Sequence, residues 1–285
     1  MNSLASRLGA LRAQAGVSVA RATATICSTP AVAASPIPQQ LRDLLQIRVR
    51  SQARTFSHDR DLPGVEIAQG LRLVERIYPW KEMPECVNAQ FAGLGRIHRE
   101  DLLSFDTETT GLSGGTGTRA FMIGASDWRD RGLRVRQLLI TTMAGEAAML
   151  EAFSAWINPG TVLVSYNGKS YDSPLLATRY RLGRMDNPLA GLRHLDLLYP
   201  VRRRFRGVWE NCRLATVERE WLGILREDDL PGSEAPRAWL DYLRGHSGRN
   251  LRRVLEHNDQ DLRSLTTLLL RLGETDPLRL EGEAH

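Results

Sequence analysis

Two acidic residues, one position apart, stand in an apolar stretch of the chain. Residues 102–112 read LLSFDTETTGL, and the apolar run predicts a strand that carries Asp106 and Glu108. Because successive strand side chains point to opposite faces, the two carboxylates share one side. Carboxylates that close repel each other unless a cation lies between them, and Mg²⁺ prefers oxygen ligands. The pair predicts half of a metal site, while a solvated acidic turn is the alternative for an isolated Asp-x-Glu.

A third acid follows the next buried strand, which is predicted for residues 161–166. The sequence after it, NGKSYDSP, contains a Gly-Lys-Ser triplet like that of a phosphate-binding P-loop. That motif needs a glycine at position 163, where this chain has Leu163. Asp172 has two readings: it returns to the sheet edge near Asp106 and Glu108, or it caps the helix predicted for residues 173–182.

The last chemical pair lies on a long helix predicted for residues 250–272. His257 and Asp261 are four residues apart and therefore neighbours on one helix face. Two Mg²⁺ ions need several carboxylates, and a histidine that titrates near neutral pH can take a proton from a water. Asp259 points roughly opposite and is predicted to be exposed. The buried stripe of this helix is predicted to be Leu251, Val254, Leu255, Leu262, Leu265 and Leu269.

The elements that must position these side chains form an α/β pattern. Three strands (the one that begins at residue 102 and carries the two acids, then 119–128 and 133–142) suggest an antiparallel meander, followed by helix 145–157, strand 161–166, helix 173–182 and strand 193–197. Helices are also predicted at 212–222 and 238–243. This order predicts a mixed five-stranded sheet flanked by helices, with the carboxylates at one edge. Residues 113–118, SGGTGT, either cradle a phosphate or form a hairpin-like loop.

Composition divides the chain into four segments. Residues 1–42 contain no acid and only four arginines, which predicts a disordered extension; an organelle transit peptide and a flexible bacterial extension both fit. Residues 43–101 are a lead-in segment with a short helix at 41–50 and a hairpin at 65–78. Residues 102–272 form the main domain, and residues 273–285 a flexible tail.

Charge and cysteine content limit the possible partners. The 38 Lys and Arg against 33 Asp and Glu give a net charge of +5, compatible with a polyanionic partner. Arg202, Arg203, Arg204 and Arg206 are interleaved with Phe205 and Trp209, a pattern that suits single-stranded nucleic acid or an ordinary solvated helix face. Three widely spaced cysteines predict reduced thiols and a cytoplasmic location, and no apolar run is long enough to span a bilayer.

Taken together, these motifs resemble a known family. Residues 105–112 (FDTETTGL), 166–172 (YNGKSYD) and 257–261 (HNDQD) are similar to the three exonuclease motifs of the DEDD, or DnaQ-like, 3′–5′ exonucleases of the ribonuclease H-like superfamily. Residues 194–198 (HLDLL) and 229–232 (DLPG), with the Gly-rich loop, look like the YprB-type ribonuclease H-like domains. The resemblance covers about residues 102–270.

The resemblance implies roles at the matching positions. Asp106, Glu108, Asp172 and Asp261 would bind two Mg²⁺ or Mn²⁺ ions, with His257 as general base. One departure is that three residues separate His257 from Asp261, the spacing of the family's tyrosine branch, whereas its histidine branch has four. The expected substrate-binding residues are Thr109, Thr110, Leu112, Asn167, Lys169, Arg202, Arg203 and Arg204.

The expected function is metal-dependent 3′–5′ exonuclease activity on single-stranded DNA or RNA ends. A structure-specific endonuclease is the first alternative, because this fold hosts both cleavage modes. A catalytically silent nucleic-acid-binding domain is the second, although such a domain would be expected to lack a carboxylate. We expect neither a membrane nor a small-molecule cofactor as partner. The choice of DNA or RNA and the oligomeric state stay open.

Overall fold

A seven-stranded mixed sheet forms the centre of the fold, and its strand with residues 102–109 carries Asp106 and Glu108. The computed structural model describes residues 58–80, 84–111, 117–129, 132–226 and 229–274, which fall within the unit Ala53–His285. The predicted extension at 1–42, the helix at 41–50, Leu112, most of the Gly-rich loop and almost all of the predicted tail lie outside the described residues.

The strands are β1 (Val65–Ala68), β2 (Leu71–Pro79), β3 (Cys86–Asn88), β4 (Arg96–His98), β5 (Leu102–Thr109), β6 (Ala120–Arg129), β7 (Gly132–Ile140), β8 (Val162–Ser165) and β9 (Arg193–Asp196). The sheet order is β1-β2-β7-β6-β5-β8-β9, and β3 pairs with β4 separately. β5, β8 and β9 are parallel, whereas the other neighbours in the large sheet are antiparallel. The predicted mixed sheet and the β5-β6-β7 meander are therefore confirmed.

The predicted count of five strands in the sheet was too low. The hairpin of β1 and β2 continues the sheet, because β2 pairs with β7 from Leu71–Ile140 to Pro79–Gly132. β7 would otherwise be an edge strand with unpaired backbone groups, and the hairpin covers that edge. The sequence predicted the hairpin itself but treated it as a lead-in segment.

Helices lie against the sheet: α1 (Glu146–Ser154), α2 (Asp172–Leu182), α3 (Leu198–Phe205), α4 (Leu214–Val217), α5 (Ala235–Leu243) and α6 (Arg249–Glu274). A turn of π-helix, Glu218–Leu222, continues α4. All six apolar residues predicted for the stripe of α6 are buried. Among the described helices, none has an apolar stretch sufficient to cross a bilayer.

Buried aromatic side chains set the packing of these layers. Phe105, on the face of β5 opposite Asp106, packs against Phe153 of α1 with ring centroids 6.1 Å apart. On β6, Phe121 stacks on Trp239 of α5 at 5.2 Å, and the Trp239 indole donates to the Ile140 carbonyl at 2.8 Å. These contacts fix β5 and β6, the central strands beside the acidic motif.

Candidate active site

Two carboxylates of the candidate site, those of Asp106 and Glu108, lie near the end of β5. Glu108 is buried and Asp106 is partly buried. Burial, followed by the charges of Asp172, Asp261 and Glu108, raises the pKa of Asp106 well above its usual value. Burial and the charges of Asp261, Asp172 and Asp229 do the same for the pKa of Glu108, with Arg226 opposing. Carboxylates from three elements therefore interact at this end of β5.

Asp172 belongs to this group by its position. It is the first residue of α2, and its carboxylate accepts a hydrogen bond from the Thr107 hydroxyl of β5. Burial raises the pKa of Asp172 to about 6, although the Thr107 hydrogen bond lowers it. No side-chain capping bond is formed by Tyr171, the residue that precedes the helix. Of the two readings of Asp172, the structure supports the return to the sheet.

The loop between β8 and α2 is held by Asp196. Its carboxylate accepts hydrogen bonds from the backbone N–H groups of Asn167 at 2.7 Å and Lys169 at 3.0 Å. Asn167 has a left-handed φ of 68°, and a Cβ at Gly168 would come within 2.5 Å of the Ser165 hydroxyl oxygen. The loop therefore needs a glycine at 168, and Asp196 gives the 194–198 motif a structural role.

On α6, the ring of His257 lies between two carboxylates. Its Nδ1 is 2.7 Å from Oδ1 of Asp229, and its Nε2 is 3.6 Å from Oδ2 of Asp261. With the proton on Nδ1, the ring donates to Asp229 and Nε2 of the neutral ring is left as an acceptor; Nη1 of Arg226 also lies 3.1 Å from Nδ1. Although burial opposes it, the hydrogen bond from His257 lowers the pKa of Asp229. Asp229 thus orients the ring.

A residue that the sequence analysis missed, Arg226, contacts this same group. Its guanidinium donates to both carboxylate oxygens of Glu218 at 2.6 Å, to Oδ1 of Asp261, and to Oδ2 of Asp229 at 3.2 Å. Burial alone would lower the pKa of Arg226, but Glu218 and Asp261 raise it above its usual range. No periodic pattern marks Arg226, because it lies in an irregular segment after the π-helix.

Asn258 was also missed, although the sequence contained a signal for it. Its amide nitrogen donates to Oδ2 of Asp106 at 2.9 Å, and its amide oxygen accepts from Gln137 at 2.9 Å. Asn258 is fully buried, and a Cβ at Gly124 would come within 2.0 Å of its amide oxygen. A polar residue within the apolar stripe of α6 is that signal, because buried amides need partners.

The predicted exposure of Asp259 is wrong. Its side chain is 3% exposed, and it accepts hydrogen bonds from Tyr78 at 2.7 Å and Arg263 at 3.0 Å. Arg76 adds an ion pair at 3.3 Å. Asp259 does point away from Asp261, as expected, but the strand β2 covers that face of the helix.

Comparison with known proteins decides the family. A family model described as the RNase_H superfamily matches residues 103–272, which is more than half of the chain. The chain belongs to the RNase H superfamily. The match begins in β5 and ends in α6, the two elements that carry Asp106, Glu108, His257 and Asp261.

One curated relative is similar in sequence to most of this RNase H-like chain. The uncharacterized protein YprB of Bacillus subtilis (strain 168) is 36% identical over 218 residues. The aligned region covers 73% of this chain and 51% of YprB, so the chain spans about half the length of that relative.

Solved structures give more distant similarities. A family B DNA polymerase from the hyperthermophilic archaeon Pyrobaculum calidifontis has a TM-score of 0.47 and 20% identity, covering 60% of this chain and 24% of the polymerase. A product-bound exonuclease I has a TM-score of 0.35 and 16% identity, covering 55% of this chain and 46% of that protein. With TM-scores below 0.5, these similarities by themselves assign no activity.

A cavity of about 210 Å³ opens beside the acids of the RNase H-like site. Of the predicted site residues, Asp106, Asp172, Thr109 and Asn167 line it; the other lining residues are Thr107, Gly111, Thr118, Tyr166, Tyr171 and Leu175. Thr110 and Lys169 do not line it. The Thr110 hydroxyl instead accepts the N–H of Arg119 at 3.0 Å. Two of the predicted substrate-binding residues, Thr109 and Asn167, therefore line the cavity together with Asp106 and Asp172.

The predicted arginine cluster lies on α3 and is exposed. Arg203 donates to the carbonyl of Phe91, and Arg204 lies over the Trp221 ring at 5.3 Å. Phe205 and Trp209 stack on each other with centroids 3.8 Å apart. The aromatic side chains of this cluster thus contact one another, and binding of nucleic acid by its arginines stays a prediction.

The donor set fits hard divalent cations. Within the described residues, no lysine or arginine forms an ion pair with Asp106, Glu108 or Asp172, and the charge of Arg226 only partly offsets the repulsion at Glu108. The described part of the chain contains no three acidic, histidine or cysteine side chains already in metal-binding geometry. Like charges move apart when no cation lies between them, and carboxylate oxygens are the ligands that Mg²⁺ prefers.

Proposed function

We propose that this chain is a metal-dependent nuclease that hydrolyses phosphodiester bonds from the 3′ end of single-stranded DNA or RNA. The observation that carries the proposal is the convergence of Asp106, Glu108 and Asp172 beside a cavity, with raised pKa values and no ion pair to a described lysine or arginine. A phosphate chain is repelled by such a site unless divalent cations neutralise it. Membership in the RNase H superfamily supports the same chemistry.

Four side chains would hold the ions, Mg²⁺ or Mn²⁺, in a two-metal arrangement: Asp106, Glu108, Asp172 and Asp261. When bound, such ions lower the pKa of a water and stabilise the charge that develops on the phosphate. The protein supplies the remaining steps. Asn258 fixes Oδ2 of Asp106, and Thr107 fixes the carboxylate of Asp172.

His257 would take the proton of the attacking water. Its Nε2 faces Asp261, and Asp229 holds the proton on Nδ1 and stabilises the imidazolium that forms. The water oxygen would then bond to phosphorus as the bond to the 3′ oxygen breaks. A proton from solvent would complete the 3′-hydroxyl of the shortened strand, and the terminal nucleotide would leave as its 5′-monophosphate. Asn167 and Thr109 line the cavity where the terminal nucleotide would bind.

Blocked and circular strands test the 3′–5′ polarity. A 3′-phosphate adds charge and bulk beside the acids, so it should slow digestion strongly, whereas a 5′-phosphate should have almost no effect. Circular single strands should resist digestion. If the wild type converts a circle to a linear product and Asp106→Asn does not, the activity is that of an endonuclease rather than an exonuclease. Binding of nucleic acid without any cleavage would favour the alternative of a catalytically silent nucleic-acid-binding domain.

A further inference from the structure

A histidine of the 194–198 motif, His194, takes no part in the proposed chemistry. It stands on β9, and the centroid of its partly buried ring lies 5.5 Å from that of Phe105 on β5. Burial lowers the pKa of His194 to about 4, although the charge of Asp196 opposes this, so the ring is neutral near pH 7. A neutral imidazole has one nitrogen that accepts a hydrogen bond and one that donates. His194 therefore acts on its neighbours through one acceptor and one donor.

Both ring nitrogens face serine hydroxyl groups. Nε2 of His194 lies 2.7 Å from the hydroxyl oxygen of Ser165, and Nδ1 lies 3.5 Å from that of Ser173. The Ser165 oxygen also accepts the backbone N–H of Gly168 at 3.1 Å. Among the residues that the structure describes, Nε2 is the one acceptor within hydrogen-bond distance of the Ser165 hydroxyl. The hydroxyl therefore donates to Nε2, and its oxygen accepts from Gly168.

Gly168 links this pair to the acids. Its carbonyl accepts the N–H of Ser173 at 2.9 Å, and Ser173 follows Asp172, the first residue of α2. Ser165 is buried, and a Cβ at Gly168 would come within 2.6 Å of the Ser165 Cβ and 3.1 Å of Oδ2 of Asp172. Because the turn fits this closely, the Ser165 hydroxyl sets how the first turn of α2 lies against the end of β8.

The neighbours of Gly168 are held by a different side chain. The backbone N–H groups of Asn167 and Lys169 donate to Asp196, whereas that of Gly168 donates to Ser165. Of these two acceptors, Ser165 is the one that forms a hydrogen bond with the ring of His194. A change at His194 is therefore expected to act on Gly168 and to leave the hydrogen bonds of Asn167 and Lys169 in place.

We propose, on the basis of the proposed function, that His194 is a positioning residue for Asp172. Its Nε2 fixes the Ser165 hydroxyl with the oxygen towards Gly168, and Gly168 in turn fixes the first turn of α2 through Ser173. This role requires an acceptor at the place of Nε2 rather than the shape of the ring. A displacement of about 1 Å at a reacting centre can lower activity by about 100-fold, so a loosened turn should slow the reaction.

Amide hydrogen exchange of Gly168, followed by NMR in the metal-free full chain, tests the hydrogen-bond chain. His194→Leu keeps a side chain of similar size but removes the acceptor, and Ser165→Ala removes the hydroxyl. Both should speed exchange of the Gly168 amide about fivefold or more, because its buried hydrogen bond is weakened or lost. His194→Gln places an amide oxygen near the position of Nε2 and should keep the wild-type rate.

Two results would overturn the hydrogen-bond chain. One is a wild-type rate of Gly168 exchange in His194→Leu. The other is exchange in His194→Gln as fast as in His194→Leu, because the ring would then act by its shape rather than as an acceptor.

A matched control removes another buried hydrogen bond of α2. The Tyr180 hydroxyl donates to the carbonyl of Leu150 at 2.8 Å, near the other end of the helix from Asp172. Tyr180→Phe should lower the free energy of unfolding and leave Gly168 exchange within about twofold of the wild type. If Gly168 exchange is as fast in this control as in His194→Leu, the effect of His194→Leu comes from lower global stability and the proposal is overturned.

Steady-state cleavage of a labelled single strand with Mg²⁺ tests the effect on the reaction. His194→Leu and Ser165→Ala should each lower kcat about tenfold. KM should stay within about threefold, because Asn167 stays bound to Asp196. The double variant should lose no more than either single variant, because both act through one chain of hydrogen bonds. His194→Gln and Tyr180→Phe should keep the wild-type kcat.

The kinetic and exchange results separate this proposal from the proposed function. An unchanged kcat in His194→Leu, with cleavage by the wild type intact, would overturn the positioning role alone. Absence of cleavage by the wild type would overturn the proposed nuclease, while the exchange rates of Gly168 would still decide whether His194 fixes the turn.

Discussion

Asp106, Glu108 and Asp172 bind protons more tightly in the folded protein than in the unfolded chain. Burial is the first cause for each, followed by neighbouring charges for Asp106 and Glu108. A carboxyl group whose pKa rises on folding makes the folded state lose stability as the pH rises, because the unfolded chain gives up its proton first. The metal-free site is thus a source of instability that bound cations would relieve.

Asp172→Asn should remove one part of this pH dependence. The pKa of Asp172 rises from 3.8 to about 6, so its unfavourable contribution grows between these pH values and is complete above them. The variant should gain little at pH 4 and about 1–3 kcal/mol in free energy of unfolding at pH 8. Urea denaturation in EDTA at both pH values measures the gain. The exposed Asp186→Asn is the control, and an equal gain for Asp172→Asn at both pH values would contradict this explanation.

At the scale of elements, contacts on two opposite faces fix the orientation of α6 about its own axis. His257 and Asp261 face the acids, Asn258 contacts Asp106, and Asp259 is bound by Tyr78 of β2. The hairpin that extends the sheet therefore also fixes the angle at which the face of α6 that carries His257 and Asp261 meets β5.

Tyr78→Phe tests this anchor. Loss of the phenol hydroxyl removes one hydrogen bond to the buried carboxylate of Asp259, which should lower the free energy of unfolding by about 1–2 kcal/mol. Tyr199→Phe is a matched control, because the Tyr199 side chain is 48% exposed. Denaturant melts of the two variants give the comparison. A destabilisation in Tyr78→Phe no larger than in the control would show that the hydrogen bond contributes nothing to stability.

The sequence predicted those features that follow from the side-chain periodicity of a single strand or helix. Alternation along β5 places Asp106 with Glu108, and a helical turn places His257 with Asp261. Arg226 was not predicted because it lies in an irregular segment. Its contact with α6 depends on the tertiary fold, and no local sequence pattern indicates such a contact. For Asp259 the predicted direction was right, but the environment depended on a hairpin that pairs with a distant strand.

At the scale of the whole molecule, positive charge is supplied almost entirely by arginine. The chain has a net charge of +5, and only Lys81 and Lys169 are lysines. Arginine pairs with phosphate through two parallel hydrogen bonds, so an exposed run of arginines suits a nucleic acid backbone. The exposed cluster on α3 is the part of this surface that the sequence predicted to bind substrate.

Replacing Arg202, Arg203 and Arg204 by Gln should weaken substrate binding, because glutamine cannot form an ion pair with phosphate. We expect a higher KM at low salt, a nearly unchanged kcat, and a salt dependence of KM that falls by about 0.7 in log–log slope for each phosphate that is no longer neutralised. Steady-state kinetics at several salt concentrations measure this slope. The same change at Arg181, Arg237 and Arg244, all exposed, is the control. An equal salt slope in both triple variants would assign the α3 arginines to an ordinary solvated face.

The most direct test of the proposed metal-dependent nuclease is digestion of end-labelled single-stranded DNA and RNA by the wild type and Asp106→Asn. Mg²⁺ or Mn²⁺ should support cleavage by the wild type, and EDTA should abolish it. Asp106→Asn should fold with equal or greater thermal stability, because it removes one of several repelling charges, and should not cleave. Cleavage by the wild type in EDTA, or full activity of folded Asp106→Asn, would contradict the assignment of the site.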